Sequence, residues 1–208
     1  MKQTVIKYLP NSLTFLRLVL IPFFVIMMIA PSPTMRLVAF FTYVLASITD
    51  VIDGRVARHY RVVSNIGKLL DPIADKILVM AALVMILAYV TDGEGQSILP
   101  GWLVVLVLAR ETWVNGVRSV AALNGVVVAA SKLGKLKSFM QMSAIGLMLM
   151  PFSWRFVLSG YYVPFASLGV PLLLLSVFIS YWGALEYTFA VFGRKPAEEE
   201  KKENSEEK

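Results

Sequence analysis

Between Asp50 and Asp75 the chain reads DVIDGRVARHYRVVSNIGKLLDPIAD, with an apolar run on either side: FFTYVLASIT (40–49) before it and ILVMAALVMILAYV (77–90) after Lys76. With their flanks, such runs approach the roughly twenty residues that a helix needs to cross a bilayer core. One carboxylate pair closes the first run and a second pair opens the next. This reads as two membrane helices joined by a polar segment, with charge gathered where both leave the hydrocarbon.

The rest of the chain agrees. Of its 208 residues 57% are hydrophobic and 16% charged, too little charge to solvate the surface of a soluble domain of this size. There is no Cys, which excludes a disulfide framework and a thiolate metal site. The N-terminal MKQTVIKYLPNSLTFLRLVL places charge before an apolar run, as a signal peptide does. It has no small-residue cleavage site and Pro22 interrupts the run, so a retained first helix is expected. Helices are expected at roughly 12–30, 35–57, 70–90, 98–120, 133–153 and 165–192, separated by Pro-, Gly- or charge-rich stretches. No internal repeat of the transporter kind is present. The expected fold is an all-α integral membrane protein, with six transmembrane helices and a polar active-site cavity facing the cytoplasm. Residues 1–193 form its one six-helix domain, and 194–208, RKPAEEEKKENSEEK, form a disordered charged tail.

Lys and Arg set the orientation. They crowd the N-terminal flank (Lys2, Lys7, Arg17), the second loop (Arg55, Arg58, Arg61, Lys68, Lys76), the fourth (Arg118, Lys132, Lys135, Lys137) and the C-terminal flank. The odd-numbered loops hold Arg36 and Arg155. A multi-pass protein of the cell membrane with both termini and the aspartates on the cytoplasmic side satisfies this asymmetry. The net charge of +6 then faces membrane lipids with anionic head groups, and no nucleic-acid partner is expected.

Asp50 and Asp53 are three residues apart and Asp71 and Asp75 four, so each pair shares a helix face. Carboxylates gathered in a low dielectric repel one another, and a divalent cation removes that repulsion. An all-oxygen set suits Mg²⁺ or Mn²⁺ rather than Zn²⁺, and His59 is the single histidine. Read singly, each aspartate could instead cap a helix or face water, and Asp71-Pro72 fits an N-cap with a first-turn proline. Gly54, Ala57 and Gly67 keep the neighbouring surface small, and Arg58 adds a cation. Together they describe a pocket for a phosphate-bearing ligand.

The pattern Asp50-x-x-Asp53-Gly54-x-x-Ala57-Arg58, eight residues, Gly67-x-x-x-Asp71-x-x-x-Asp75 resembles, at every position, the signature of the CDP-alcohol phosphatidyltransferase family. The resemblance implies a six-helix membrane enzyme that joins a CDP-linked donor, here CDP-diacylglycerol, to an alcohol and releases CMP. It implies that Asp50, Asp53 and Asp71, with Asp75 close by, hold a pair of Mg²⁺ or Mn²⁺ ions. Asp75 would be the base that takes the proton of the attacking hydroxyl. Gly54, Ala57, Arg58 and Gly67 would line the cytidine and diphosphate site. A homodimer is the oligomeric state that it suggests.

PNSLTFLRLVLIP, LLDPIADKILV and ARETWVNGVRSVAALNGVVVAASKLGKLKSFMQM resemble the branch of that family whose acceptor is sn-glycerol 3-phosphate. Ser138 and Thr112-Trp113 depart from its usual residues. Within PNSLTFLRLVLIP, Pro10 and Asn11 fit a helix entry and cap, and Arg17 fits a snorkelling side chain. Thr14 either belongs to that helix start or touches the nucleotide. Arg110 and Glu111 stand inside the fourth apolar run, where charge normally faces a polar cavity. As neighbours on a helix they are not expected to pair with each other. Arg110, Arg118 and Lys135 are the expected cations for an acceptor phosphate, with Lys132 obeying topology and Lys137 undecided. Phosphatidylglycerol or inositol phosphate as acceptor, and a divalent-cation pathway lined by the aspartates, remain as alternatives.

Overall fold

The computed structural model describes residues 2–30, 32–60, 65–92, 94–123, 132–151, 153–155 and 162–193. For residues 2–13, 50–60, 65–69, 71, 72, 132 and 133, and for the two strands, only the backbone is described. Among these residues there are six α-helices: α1 (Lys2–Ile29), α2 (Pro33–Tyr60), α3 (Asn65–Tyr89), α4 (Gly101–Leu123), α5 (Lys132–Leu149) and α6 (Phe165–Phe192). Two three-residue strands, β1 (Ser153–Arg155) and β2 (Tyr162–Pro164), pair antiparallel between α5 and α6, with Trp154 opposite Val163.

The ends of the helices follow local chemistry. The expected fifth helix, 133–153, stops at Leu149, because Pro151 lacks an N–H and disfavours helical backbone in the residue before it. Arg36, at the start of α2, donates to the carbonyls of Met148 (3.0 Å) and Leu149 (3.2 Å), satisfying the acceptors that the end of α5 leaves open. After α3, Asp92 Oδ1 accepts from the backbone N–H of Glu94 and of Gln96, both at 2.9 Å. Gly95 takes φ +81°, a conformation that favours glycine. Ile98 N–H donates to Val90 C=O, which holds the chain extended and delays α4 to Gly101. The first helix begins at Lys2 rather than near residue 12 and continues through Pro10 and Asn11, so those two do not cap it. Asp71 and Pro72 likewise lie inside α3, not at an N-cap.

The chain forms two compact units, 1–100 with 142–171 and 101–141 with 172–208. In the first, α1 packs on α2 and α3. Its core holds Ile21, Phe24 and Met28 of α1, Ala39, Tyr43 and Ala46 of α2, and Ala74, Leu78, Ala82 and Ile86 of α3. Alanines at the contacts let helix axes approach closely, and buried Thr42 and Thr49 satisfy their hydroxyls on the backbone of α2 itself. In the second, Leu103, Val107, Val114 and Val117 of α4 are buried, with Leu173, Val177, Ala184 and Val191 of α6.

The large side chains of α6 face outward: Phe178, Trp182, Leu185 and Phe189, spaced four, three and four, are more than half exposed. Its inner face is smaller, with Ser176, Val177, Ser180 and Ala184. A water-soluble helix has the opposite arrangement. α6 is also long and apolar enough to cross a membrane, and Thr14–Ile29 and Pro33–Thr49 are shorter apolar helical segments. Exposed Phe15, Val19, Phe23, Ile26, Phe41, Leu45 and Ile48 extend the pattern to α1 and α2. These surfaces are those of a membrane protein.

Gly169 marks a close contact of α6 with α5. A Cβ there would meet the Met148 side chain and lie 2.6 Å from the carbonyl oxygen of Ala144, which cannot move without bending α5. Gly169→Ala should therefore destabilise the protein by about 1–3 kcal/mol, seen as a lower unfolding temperature in detergent. An unchanged temperature would show that the two helices are not in close contact.

Candidate active site

The buried face of α1 is a stripe of Thr14, Arg17, Ile21, Phe24 and Met28, alternating three and four residues. On α2 the buried positions Ala39, Tyr43 and Ala46 keep the same alternation, and in that phase the next positions are 50, 53 and 57. On α3, positions 67 and 71 precede buried Ala74 and Leu78 in phase. The helical backbone thus carries Asp50, Asp53, Ala57, Gly67 and Asp71 onto the lines along which α2 and α3 bury their side chains. Gly54 and Arg58 each follow one of these positions. The side chains from 50 to 60, and those of Gly67 and Asp71, lie outside the described part. Asp75 is half buried, engaged with neighbouring groups, and within electrostatic reach of Tyr43.

Among the described residues no three His, Cys, Asp or Glu side chains are gathered to hold a metal, but only Asp75 of the four aspartates belongs to that set. The donor chemistry at the four positions is all oxygen, which suits a hard divalent cation.

Thr14 and Arg17 are among the most deeply buried polar residues, 1% and 0% exposed. A capping or snorkelling role would leave both at the surface. Their phase with Ile21, Phe24 and Met28 is the signal in the sequence that places them inside.

A second polar cluster lies in the other unit. Arg110 of α4 donates through Nε to the Ser180 carbonyl of α6 at 3.1 Å and through Nη1 to Glu111 Oε1 at 3.2 Å. Lys137 of α5 donates to the same Oε1 and is 7% exposed. Buried Gln141 and Ser180 and half-buried Tyr181 stand around Arg110 and Glu111. Ser180 Oγ is buried with no hydrogen-bond partner among the described residues. Tyr181 donates to the Leu106 carbonyl at 3.0 Å.

This corrects one expectation and decides a question left open. Arg110 and Glu111 do pair, since both side chains are long enough to turn back along the helix although their Cβ atoms diverge. Each also finds a further partner, as the apolar run demanded. Lys137, not Lys135, is the buried lysine: it shares one stripe of α5 with Gln141, Ala144, Ile145 and Met148, while Lys135 is exposed. Arg118, eight residues and about 12 Å further along α4 than Arg110, is exposed as well.

The family model described as CDP-alcohol phosphatidyltransferase matches residues 7–183. The chain is 37% identical over 186 residues to the CDP-diacylglycerol–glycerol-3-phosphate 3-phosphatidyltransferase of Bacillus subtilis (strain 168), covering 84% of this chain and 91% of the relative. The protein of the same name from Rickettsia bellii (strain RML369-C) is 42% identical over 142 residues, 68% of this chain and 75% of its own. A probable phosphatidylglycerophosphate synthase of Mycobacterium tuberculosis (strain ATCC 25618 / H37Rv) is 40% identical over 151 residues, 71% and 68% respectively.

Lys137→Met removes one cation from a partly buried carboxylate and should cost about 1–3 kcal/mol. Lys135→Met, at an exposed position, should stay within about 0.5 kcal/mol of the parent. Thermal unfolding of the two variants side by side checks this, and equal losses would contradict the assignment.

Proposed function

The chain belongs to the CDP-alcohol phosphatidyltransferase family, and from that premise we propose that it transfers the phosphatidyl group of CDP-diacylglycerol to sn-glycerol 3-phosphate, releasing CMP. It is then a transferase of phospholipid biosynthesis whose product is phosphatidylglycerophosphate. The observation that carries the reading is the phase of α2 and α3, which aligns the aspartate positions with the buried stripes of both helices, together with half-buried Asp75. The names of the relatives supply the acceptor.

Asp50, Asp53, Asp71 and Asp75 are the residues to hold the divalent cations on which the family's chemistry depends, two Mg²⁺ or Mn²⁺ in this reading. When bound, such ions neutralise the diphosphate and the charge that spreads over phosphorus in the transition state. A hydroxyl oxygen of the acceptor forms a bond to the phosphorus bearing the diacylglycerol. The bond from that phosphorus to the bridging oxygen breaks, and CMP leaves with its electron pair. Asp75 takes the hydroxyl proton. Although a carboxylate is a weak base, it suffices because the hydroxyl becomes acidic as it attacks.

Gly54, Ala57 and Gly67 leave room for the nucleotide to approach the backbone, Arg58 offers a bidentate partner to phosphate, and Thr14 serves the nucleotide from α1. Arg110, Arg118 and Lys135 answer the second negative group of the reaction, the acceptor's phosphomonoester. The unfilled Ser180 Oγ beside Arg110 supports a polar ligand at that point. A cation pathway is disfavoured by Arg17, a fixed positive charge on the buried stripe of α1, which packs on α2 and α3.

Six membrane spans, with both termini and the site at the cytoplasmic face, suit a donor whose acyl chains stay in lipid while its head group meets a water-soluble acceptor. In this reading residues 1–193 are one catalytic domain, 194–208 a solvated tail, and the working form a homodimer.

The test is CMP release by purified protein in detergent with CDP-diacylglycerol and Mg²⁺. Glycerol 3-phosphate, inositol phosphate, phosphatidylglycerol and serine are offered separately. Release is expected with glycerol 3-phosphate alone and should stop on chelation. Release with another acceptor would overturn the assignment. In folded protein, Asp50→Asn, Asp53→Asn and Asp71→Asn should each lower turnover by about a thousandfold or more. Near-normal turnover in any two would remove the metal role.

A further inference from the structure

Arg17 has no task in the reaction as described, yet it is the largest polar side chain buried in the α1–α3 unit, with 0% exposure. An arginine keeps its charge in any protein environment and is not buried without compensating charge or hydrogen bonds. Its neighbours on the stripe, Thr14, Ile21, Phe24 and Met28, carry no charge. The compensation therefore comes from across a helix contact.

The level of that contact is set by rings. α1 and α2 are consecutive helices joined through residues 30–32, and the Phe24 and Tyr43 rings face each other across them with centroids 6.3 Å apart. Arg17 lies seven residues before Phe24, and Asp50 lies seven after Tyr43. In antiparallel helices both steps run the same way. Seven residues are two turns, about 10.5 Å along the axis, and return each helix to nearly the same face. Position 50 is thus brought opposite Arg17, and position 53 opposite Thr14 by the next three-residue step.

Resting on the proposed carboxylate site, we infer that Arg17 is a positioning residue of that site, a permanent buried counter-charge electrostatically coupled to Asp50. Before any cation arrives, the aspartate positions on α2 and α3 repel one another. A guanidinium on the facing helix offsets part of that repulsion, so that α2 and α3 hold their places in the metal-free protein. Its planar fork also fixes how a carboxylate is presented, which an ammonium group cannot do. Arg17 therefore prepares the site without touching substrate.

The coupling is read from thermal unfolding in detergent, first with EDTA, for Arg17→Gln, Asp50→Asn and the double variant. Arg17→Gln is expected to lower the unfolding temperature. In the Asp50→Asn background that loss should shrink by about half or more, because the carboxylate left uncompensated is gone. Saturating Mn²⁺ should raise the temperature of Arg17→Gln at least about twice as much as that of the parent, since the ion replaces the missing charge. Additive losses in EDTA, with an equal Mn²⁺ increment in parent and variant, would overturn the inference and leave Arg17 a packing residue. If Arg17→Gln does not fold, Arg17→Lys enters the same cycle. Lysine keeps the charge, so Arg17→Lys should retain most of the stability that Arg17→Gln loses and should show a Mn²⁺ increment close to the parent's, and a loss as large as unfolding in Arg17→Lys too would overturn the counter-charge role. The parent's Mn²⁺ increment and its CMP release test the carboxylate-site reading separately, and the EDTA cycle needs neither.

Discussion

Charge held beside hydrocarbon is the constraint on which the other features depend. An ionised carboxylate or guanidinium next to lipid costs several kcal/mol unless other charges and hydrogen bonds answer it. Several polar groups in the described helices are accordingly placed against particular partners. Arg36 closes the carbonyl end of α5, Glu111 joins Arg110 to Lys137, and Thr42 and Thr49 turn their hydroxyls onto their own helix. The outer faces carry Phe, Leu, Ile and Trp instead.

That arrangement explains why function can reside in helices rather than loops. A phosphatidyl donor keeps its chains in the membrane, so the groups acting on its head must stand at the ends of membrane helices. In the proposed reading the segment around α2 and α3 meets this demand with apolar stripes that continue, in the same phase, into aspartate positions. Small residues alternate with the acids there, and the same device serves packing deeper in the unit, where Ala39, Ala46, Ala74 and Ala82 lie between α1, α2 and α3. Packing and the proposed chemistry thus use one geometric repeat.

The two polar clusters differ in character. The four aspartate positions carry one sign, and the proposed reading gives them divalent cations to answer it. Arg110, Glu111 and Lys137 are close to balanced, with two cations on one carboxylate. The net positive charge that remains is what the proposed acceptor phosphate would meet.

The helices, their approximate number and the spacing of the aspartates were legible in the sequence, because apolar length and residue phase are local properties of the chain. So was the resemblance that the family match later confirmed. The end of α5 before Pro151, the three-residue strands and the start of α1 at Lys2 were not read from the sequence. Tertiary structure alone decided that Lys137 rather than Lys135 is buried, and that Arg110 and Lys137 share the carboxylate of Glu111. A sequence states which residues could carry charge into the membrane. Which of them do so depends on where opposite charges and open carbonyls lie on other helices, and only the packed chain defines those positions.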